Sequence, residues 1–194
     1  MTKALLIIDF QNDFTAGGAL EVPDGDAIAA PVKRLANRFD LVAATRDWHP
    51  PDHASFQEQG GPWPVHCVRG THGADFHPAM HDVSLDAVVD VGQGRDDEGY
   101  SGFENSDLAR ILHEHNVREV FVCGLATDYC VRASTIDARR QGFDVTVVED
   151  AVRGVEVNPG DSERALRDMR ESGARIATSD EVLAGGAAGR PAGR

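Results

Sequence analysis

Lysine is nearly missing from this chain. Lys3 and Lys33 are the only two, and every other basic residue is arginine. Basic residues number 19 against 32 acidic ones, a formal net charge of −13. A field of that sign repels polyanions, which argues against a nucleic-acid groove or an anionic membrane surface as partner. Long apolar runs are missing as well. None approaches the roughly 18 residues of a membrane-spanning helix. Met1-Thr2-Lys3 leads directly into a strand-like run, so no signal peptide is expected. Cysteine is scarce: Cys67, Cys123 and Cys130 are odd in number and scattered, which makes neither a disulfide framework nor a paired zinc motif. A reducing, cytoplasmic setting is the expectation. The rest of the composition is ordinary, with 41% hydrophobic and 26% charged residues in 194. That length suits one domain with a sizeable core, here expected over 1–183. The Gly/Ala/Arg stretch 184–194 reads as a disordered tail.

Apolar runs at 4–8, 41–45, 86–91, 117–123, 143–148 and 175–178 read as strands. The first of these shows no polar alternation, as suits a strand buried on both faces. Between them lie helical patterns at 26–39, 106–115, 128–141 and 161–172. In the first, Ile28, Val32, Leu35 and Phe39 recur at steps of three or four, and Pro31 falls in its opening turns. Ser106 is the expected N-cap of the second. Gly142 and Gly173 close the third and fourth. Alternating strands and helices predict an α/β chain: a three-layer α/β/α arrangement around a mainly parallel, doubly wound sheet. More than twenty residues rich in Pro, Gly, His and Trp follow the second strand without any period, and loops of that length are usually functional.

In such a sheet ligands gather at the carboxyl ends of the strands. Four of those ends here carry chemistry: Asp9, Asp47, the polar loop after Val91, and the turn holding Cys130. Cys130 sits where a strand stops, the chain turns at Gly124 and a helix begins, so helix N–H groups would favour its thiolate. Asp9 is a carboxylate able to take the thiol proton, and the backbone N–H groups of Ala126 and Cys130 would serve as an oxyanion hole. Cys123 falls inside a strand and reads as core, while Cys67, beside His66, is an outside candidate. Asp13 reads as a helix cap or turn acid. Asp47-x-His49 together with His66 suits one divalent metal ion such as zinc, iron or manganese with open positions. His53 competes as a ligand, and His72, His77 and His81 keep the loop ambiguous. Trp48 and Trp63 flank these residues and would wall an aromatic pocket or simply pack the loop.

Five segments together resemble the isochorismatase-like cysteine hydrolases, and most of all their nicotinamidase (pyrazinamidase) branch. They are L-I-I-D-F-Q-N-D-F at 6–14, T-R-D-W-H-P at 45–50, W-P-V-H-C-V-R-G-T at 63–71, Y-S-G-F-E at 100–104 and G-L-A-T-D-Y-C-V at 124–131. The resemblance runs from about residue 4 to 179. It implies Cys130 as nucleophile and Asp9 as acid–base, with Asp47, His49 and His66 as ligands of one metal ion. It also implies Phe14, Trp63, Tyr100 and Tyr129 near the substrate ring, and a cis peptide between Leu125 and Ala126. The implied activity is hydrolysis of nicotinamide to nicotinate and ammonia through a cysteine thioester. The partner is then a small amide rather than nucleic acid or membrane, and a homo-oligomer is compatible, since members of the family often oligomerise. One departure stands out. The family's catalytic lysine, counted back from Tyr100, falls on Val91. Lys3 lies six strand residues, roughly 20 Å, from Asp9 at about 3.3 Å each, and Lys33 lies in a helix. Gln93 or Arg95 are the candidate replacements, although an arginine cannot give up its proton. That departure keeps open a related amidohydrolase acting on another small amide.

Overall fold

The computed structural model describes residues 2–185. Six parallel strands form one sheet in the order β3-β2-β1-β4-β5-β6. They are β1 Thr2–Ile8, β2 Leu41–Asp47, β3 Ala87–Val91, β4 Val117–Leu125, β5 Asp144–Arg153 and β6 Arg175–Ala177. The helices are α1 Ala29–Ala36, α2 Leu108–Glu114, α3 Arg132–Arg140, α4 Asp161–Glu171 and α5 Ser179–Ala184. The order reverses between β1 and β4, and such a switch point opens a crevice at the carboxyl edge of an α/β sheet.

Strand β1 shows how the layers arise. Leu5 and Ile7 pack into one core with α1 and α5, whereas Ala4, Leu6 and Ile8 pack into a second core with α2, α3 and α4. The period-2 alternation of side chains therefore feeds two apolar faces, which is why no polar residue interrupts the run. Ile28, Val32, Leu35 and Phe39 are all buried as their spacing requires, though the helix proper is preceded by a 3-10 turn over Gly25–Ile28.

Several expectations shift. Strand β2 runs on to Asp47 and β5 to Arg153, so both reach farther into the carboxyl edge. Helix α2 begins at Leu108 rather than at 106; the Ser106 hydroxyl accepts the Leu108 N–H at 3.3 Å and donates to the Gly102 carbonyl. The anticipated tail loses its first residue, because α5 continues to Ala184 behind a Thr178–Glu181 capping box. Residues 186–194 lie outside the described residues. Among the described residues no helix is long and apolar enough to cross a membrane.

Candidate active site

Asp9 follows the last residue of β1 and is held in the left-handed region at φ 43°. Its carboxylate Oδ1 accepts the Thr45 hydroxyl at 2.5 Å, and its own N–H donates back to Thr45 Oγ1 at 3.2 Å. Thr45 and Asp47 stand two residues apart on β2, so both face the same side of the sheet. Gln11 pins the backbone of Asp47 from the β1 side. Its side-chain oxygen accepts the Asp47 N–H and its amide donates to the Asp47 carbonyl, both at 2.8 Å.

Near the end of β4, Gly124 adopts φ 116° where a Cβ would lie 2.0 Å from the Ile8 carbonyl oxygen, so only glycine lets β4 pass β1 at this point. The Leu125–Ala126 peptide is cis, as the resemblance implies. One wide π-type turn, Thr127–Val131, then leads into α3, and Cys130 sits in that turn rather than in a regular helix. The Cys130 thiol is buried, its sulfur within 4.8 Å of a carboxylate oxygen of Asp9. Burial pushes the Asp9 carboxyl well above its ordinary range, and the Asp47 charge adds to that. Hydrogen bonds from Thr45 and Cys130 and the His49 charge oppose it. Burial also raises the Cys130 thiol, reinforced by the Asp9 and Asp47 charges, and the Ala126 N–H works against them.

Asp47, His49 and His66 bring one ligand atom each within 4.8 Å of one another, all buried. His49 Nε2 lies 3.2 Å and His66 Nε2 3.8 Å from Asp47 Oδ2. Asp47 Oδ1 is buried without a hydrogen-bond partner. Each imidazole turns Nδ1 to a carbonyl, His49 to Gly92 at 2.9 Å and His66 to Pro64 at 2.8 Å. That leaves the lone pairs on Nε2, aimed inward, which is the outer-shell arrangement that prepares histidine for a metal. An orphaned carboxylate oxygen with two oriented imidazoles fits a divalent ion well. Burial lowers the His66 pKa, as suits a neutral ligand. For His49 burial acts downward too, but the Asp47 charge and its hydrogen bonds outweigh it and the net direction is up. Gly92 is tight against this cluster, for a Cβ there would sit 2.4 Å from His49 Cε1.

His53 does not join the three ligand atoms. It stacks on His49 with centroids 4.0 Å apart, and its Nδ1 pairs with the Ser55 hydroxyl. His77 stacks on Phe10 and faces Asp26, and His72 and His81 are exposed. Trp48 lies under the Arg46 guanidinium at 3.8 Å and packs the loop, whereas Trp63 faces the site. Cys67 and Cys123 are buried in the α1-side core, and burial raises both thiols. Asp13 is structural, accepting the Cys67 N–H at 2.7 Å and the Ala19 N–H at 3.2 Å.

Cys130, Asp47 and His66 open into one narrow cleft of about 30 Å³, well below the usual volume of a ligand pocket. Phe14, Trp63, Tyr100 and Tyr129 line it. Trp63 Nε1 donates to the Tyr100 hydroxyl at 2.9 Å and meets Tyr129 edge-on at 4.9 Å. Leu20 and Val155 complete the wall. Sequence reasoning missed both because they stand in aperiodic loops, and it missed Thr45, which the i, i+2 relation to Asp47 would have revealed.

Val91 closes β3 in register with Asp47 and packs in the same apolar cluster as Cys130 and Ile8. Neither proposed substitute for a lysine reaches the pair: exposed Gln93 donates to the Asp90 carbonyl, and half-exposed Arg95 is bound to Asp96. Lys3 pairs with Glu119 at the far end of β1, and Lys33 with Asp82.

An isochorismatase-domain profile matches residues 3–181. The nicotinamidase/pyrazinamidase of Mycobacterium tuberculosis is 40% identical over 188 residues, spanning 91% of this chain and 99% of that one. Among solved structures, the pyrazinamidase of Pyrococcus horikoshii in complex with zinc is 45% identical with a TM-score of 0.84, covering 92% of this chain and 99% of its own. PnC1 from L. infantum in complex with nicotinate is 37% identical with a TM-score of 0.88, covering 92% and 93%. On these matches the chain belongs to the isochorismatase family, in its nicotinamidase branch.

Proposed function

We propose that this protein is a nicotinamidase, hydrolysing nicotinamide to nicotinate and ammonia in the cytoplasm. The observation that carries the reading is convergence. A thiol beside a buried carboxylate adjoins three clustered metal-ligand atoms, and the nucleophile faces a cleft walled by aromatic side chains. Two close relatives in structure support it, one a zinc complex of a pyrazinamidase and the other a nicotinate complex.

In this mechanism Asp9 accepts the Cys130 proton, and the sulfur attacks the carboxamide carbon. The oxyanion accepts from the Ala126 and Cys130 N–H groups. As the C–N bond breaks, Asp9 gives its proton to the departing ammonia. Asp9 then takes a proton from water, the resulting hydroxide cleaves the thioester, and Cys130 recovers its proton. Phe14, Trp63, Tyr100 and Tyr129 hold the ring and exclude bulk water. Asp47, His49 and His66 would hold a divalent ion such as zinc, iron or manganese, whose chemistry there is a Lewis-acid contact for the pyridine nitrogen.

The test is ammonia release from nicotinamide by the purified protein, before chelation, after it and after metal return. Release that falls and recovers with the metal is expected. Val91 favours a second reading, a related amidohydrolase of another small amide, because it puts an apolar side chain where the resemblance places a lysine. Absence of release from a demonstrably metal-loaded protein would select that second reading.

A further inference from the structure

Val155 reaches the pocket from the segment 154–160, which joins β5 to α4 and has no regular structure of its own. Two carboxylates in series fasten that segment. Asp128, in the turn that carries Cys130, accepts the Val155 N–H on Oδ1 at 2.9 Å and the Glu156 N–H on Oδ2 at 2.8 Å. Glu156, held at φ 56°, accepts the N–H groups of Gly160 at 2.9 Å and Ser162 at 2.8 Å, at the start of α4. One end of the segment thus hangs from the catalytic turn and the other from a helix. Asp128 ties the backbone of this wall to the turn that carries Cys130.

The chemistry is particular to aspartate. Two adjacent N–H donors need two acceptor oxygens at one spot, and a carboxylate supplies both. Asparagine keeps one acceptor and turns an NH2 donor on the other N–H, which loses one bond and opposes two donors. Asp128 is half-buried, and its carboxylate bonds go to the segment.

We propose that Asp128 is a positioning residue for substrate selection: it holds Val155 against the ring pocket and so limits the size of ring substituent the pocket admits. The inference rests on the nicotinamidase reading above. It requires that Asp128 and Val155 act through one another, which a double-mutant cycle measures directly.

The experiment compares wild type, Asp128→Asn, Val155→Ala and the double variant on nicotinamide and on 5-methylnicotinamide. Loss of one charge-assisted bond and a loosened wall should raise KM of Asp128→Asn for nicotinamide about tenfold and leave kcat within about threefold. Val155→Ala should shift preference towards the methylated amide in the same direction, and the double variant should go no further than Val155→Ala alone. Glu156→Gln, which loosens the segment from the α4 side, should give a weaker form of the same shift and serves if Asp128→Asn does not fold. Additive effects of Asp128→Asn and Val155→Ala would overturn the inference. So would a fall in kcat with KM and preference unchanged, which would place the action of Asp128 on the Cys130 turn. Wild-type turnover with flat variants defeats this inference alone, whereas a wild type inert towards both amides defeats the nicotinamidase reading and this inference with it.

Discussion

Replacing Thr45 with valine removes one hydroxyl and almost nothing else. The side chain is buried, keeps its shape, and does not line the cleft. Its hydroxyl donates to Asp9 Oδ1 at 2.5 Å and accepts the Asp9 N–H at 3.2 Å, so one bond to the Asp9 carboxylate and one to its backbone are lost together. The donated bond favours the ionised form of a carboxyl that burial already pushes towards neutrality. Without it Asp9 is less often available as a base, and its carboxylate is less firmly oriented towards the thiol. A hydrogen bond to a charged group is worth about 1.5–3 kcal/mol, and about 1.4 kcal/mol is tenfold in rate. Thr45→Val should therefore lower kcat/KM by about ten- to hundredfold. Nicotinate binding, followed by calorimetry, should stay within about twofold, because the ring pocket is untouched. Stability should fall by about 1–3 kcal/mol as the Asp9 N–H is left buried and unpaired. Activity within about threefold of wild type at the lowered stability would refute the reasoning, since Asp9 would then be oriented by something other than Thr45.

Cys130→Ala should abolish ammonia release while nicotinate still binds, and a variant with substantial turnover would defeat the covalent mechanism. Gly124→Ala drives a Cβ to 2.0 Å from the Ile8 carbonyl oxygen at φ 116°; a loss of about 3 kcal/mol or more is expected in denaturant unfolding. Glu181 closes the α5 capping box, and its bonds to the Thr178 N–H and hydroxyl hold its carboxyl below the ordinary glutamate value of 4.5. A lowered folded pKa gives stability that is complete above 4.5 and lost as pH falls through the folded value. Glu181→Gln should thus melt below wild type at neutral pH, with the difference closing under acid.

Much of the sheet was legible because buried parallel strands write themselves as unbroken apolar runs, as in Ala4-Leu5-Leu6-Ile7-Ile8. Strand ends were less legible. Arg46 and Asp47 look like loop residues, yet β2 continues through them because Arg46 pairs with Asp90 on β3 and Asp47 is pinned by Gln11. Helix α5 escaped notice because six residues carry little period, although Thr178-x-x-Glu181 is a readable cap. The ligand-type residues were visible as chemistry at strand ends. Leu20 and Val155 were not, since an apolar residue in an aperiodic loop has no pattern to distinguish a pocket wall from ordinary packing. Arg95 failed as a lysine substitute for a reason only geometry shows: its guanidinium is taken up by Asp96.

At Gly92 and Gly99 the chain folds back on itself, and a Cβ on Gly99 would stand 2.9 Å from the Gly92 Cα. Gly92 in turn leaves no room beside His49, whose Nδ1 it also anchors. In a catalogue of natural variants these two positions would mimic the loss of a ligand that is still encoded. A serine at 92 would leave Asp47, His49 and His66 in the gene and displace the imidazole in the protein. Reading such a variant as benign because every named site residue survives would be an error that the backbone, rather than any catalytic side chain, explains.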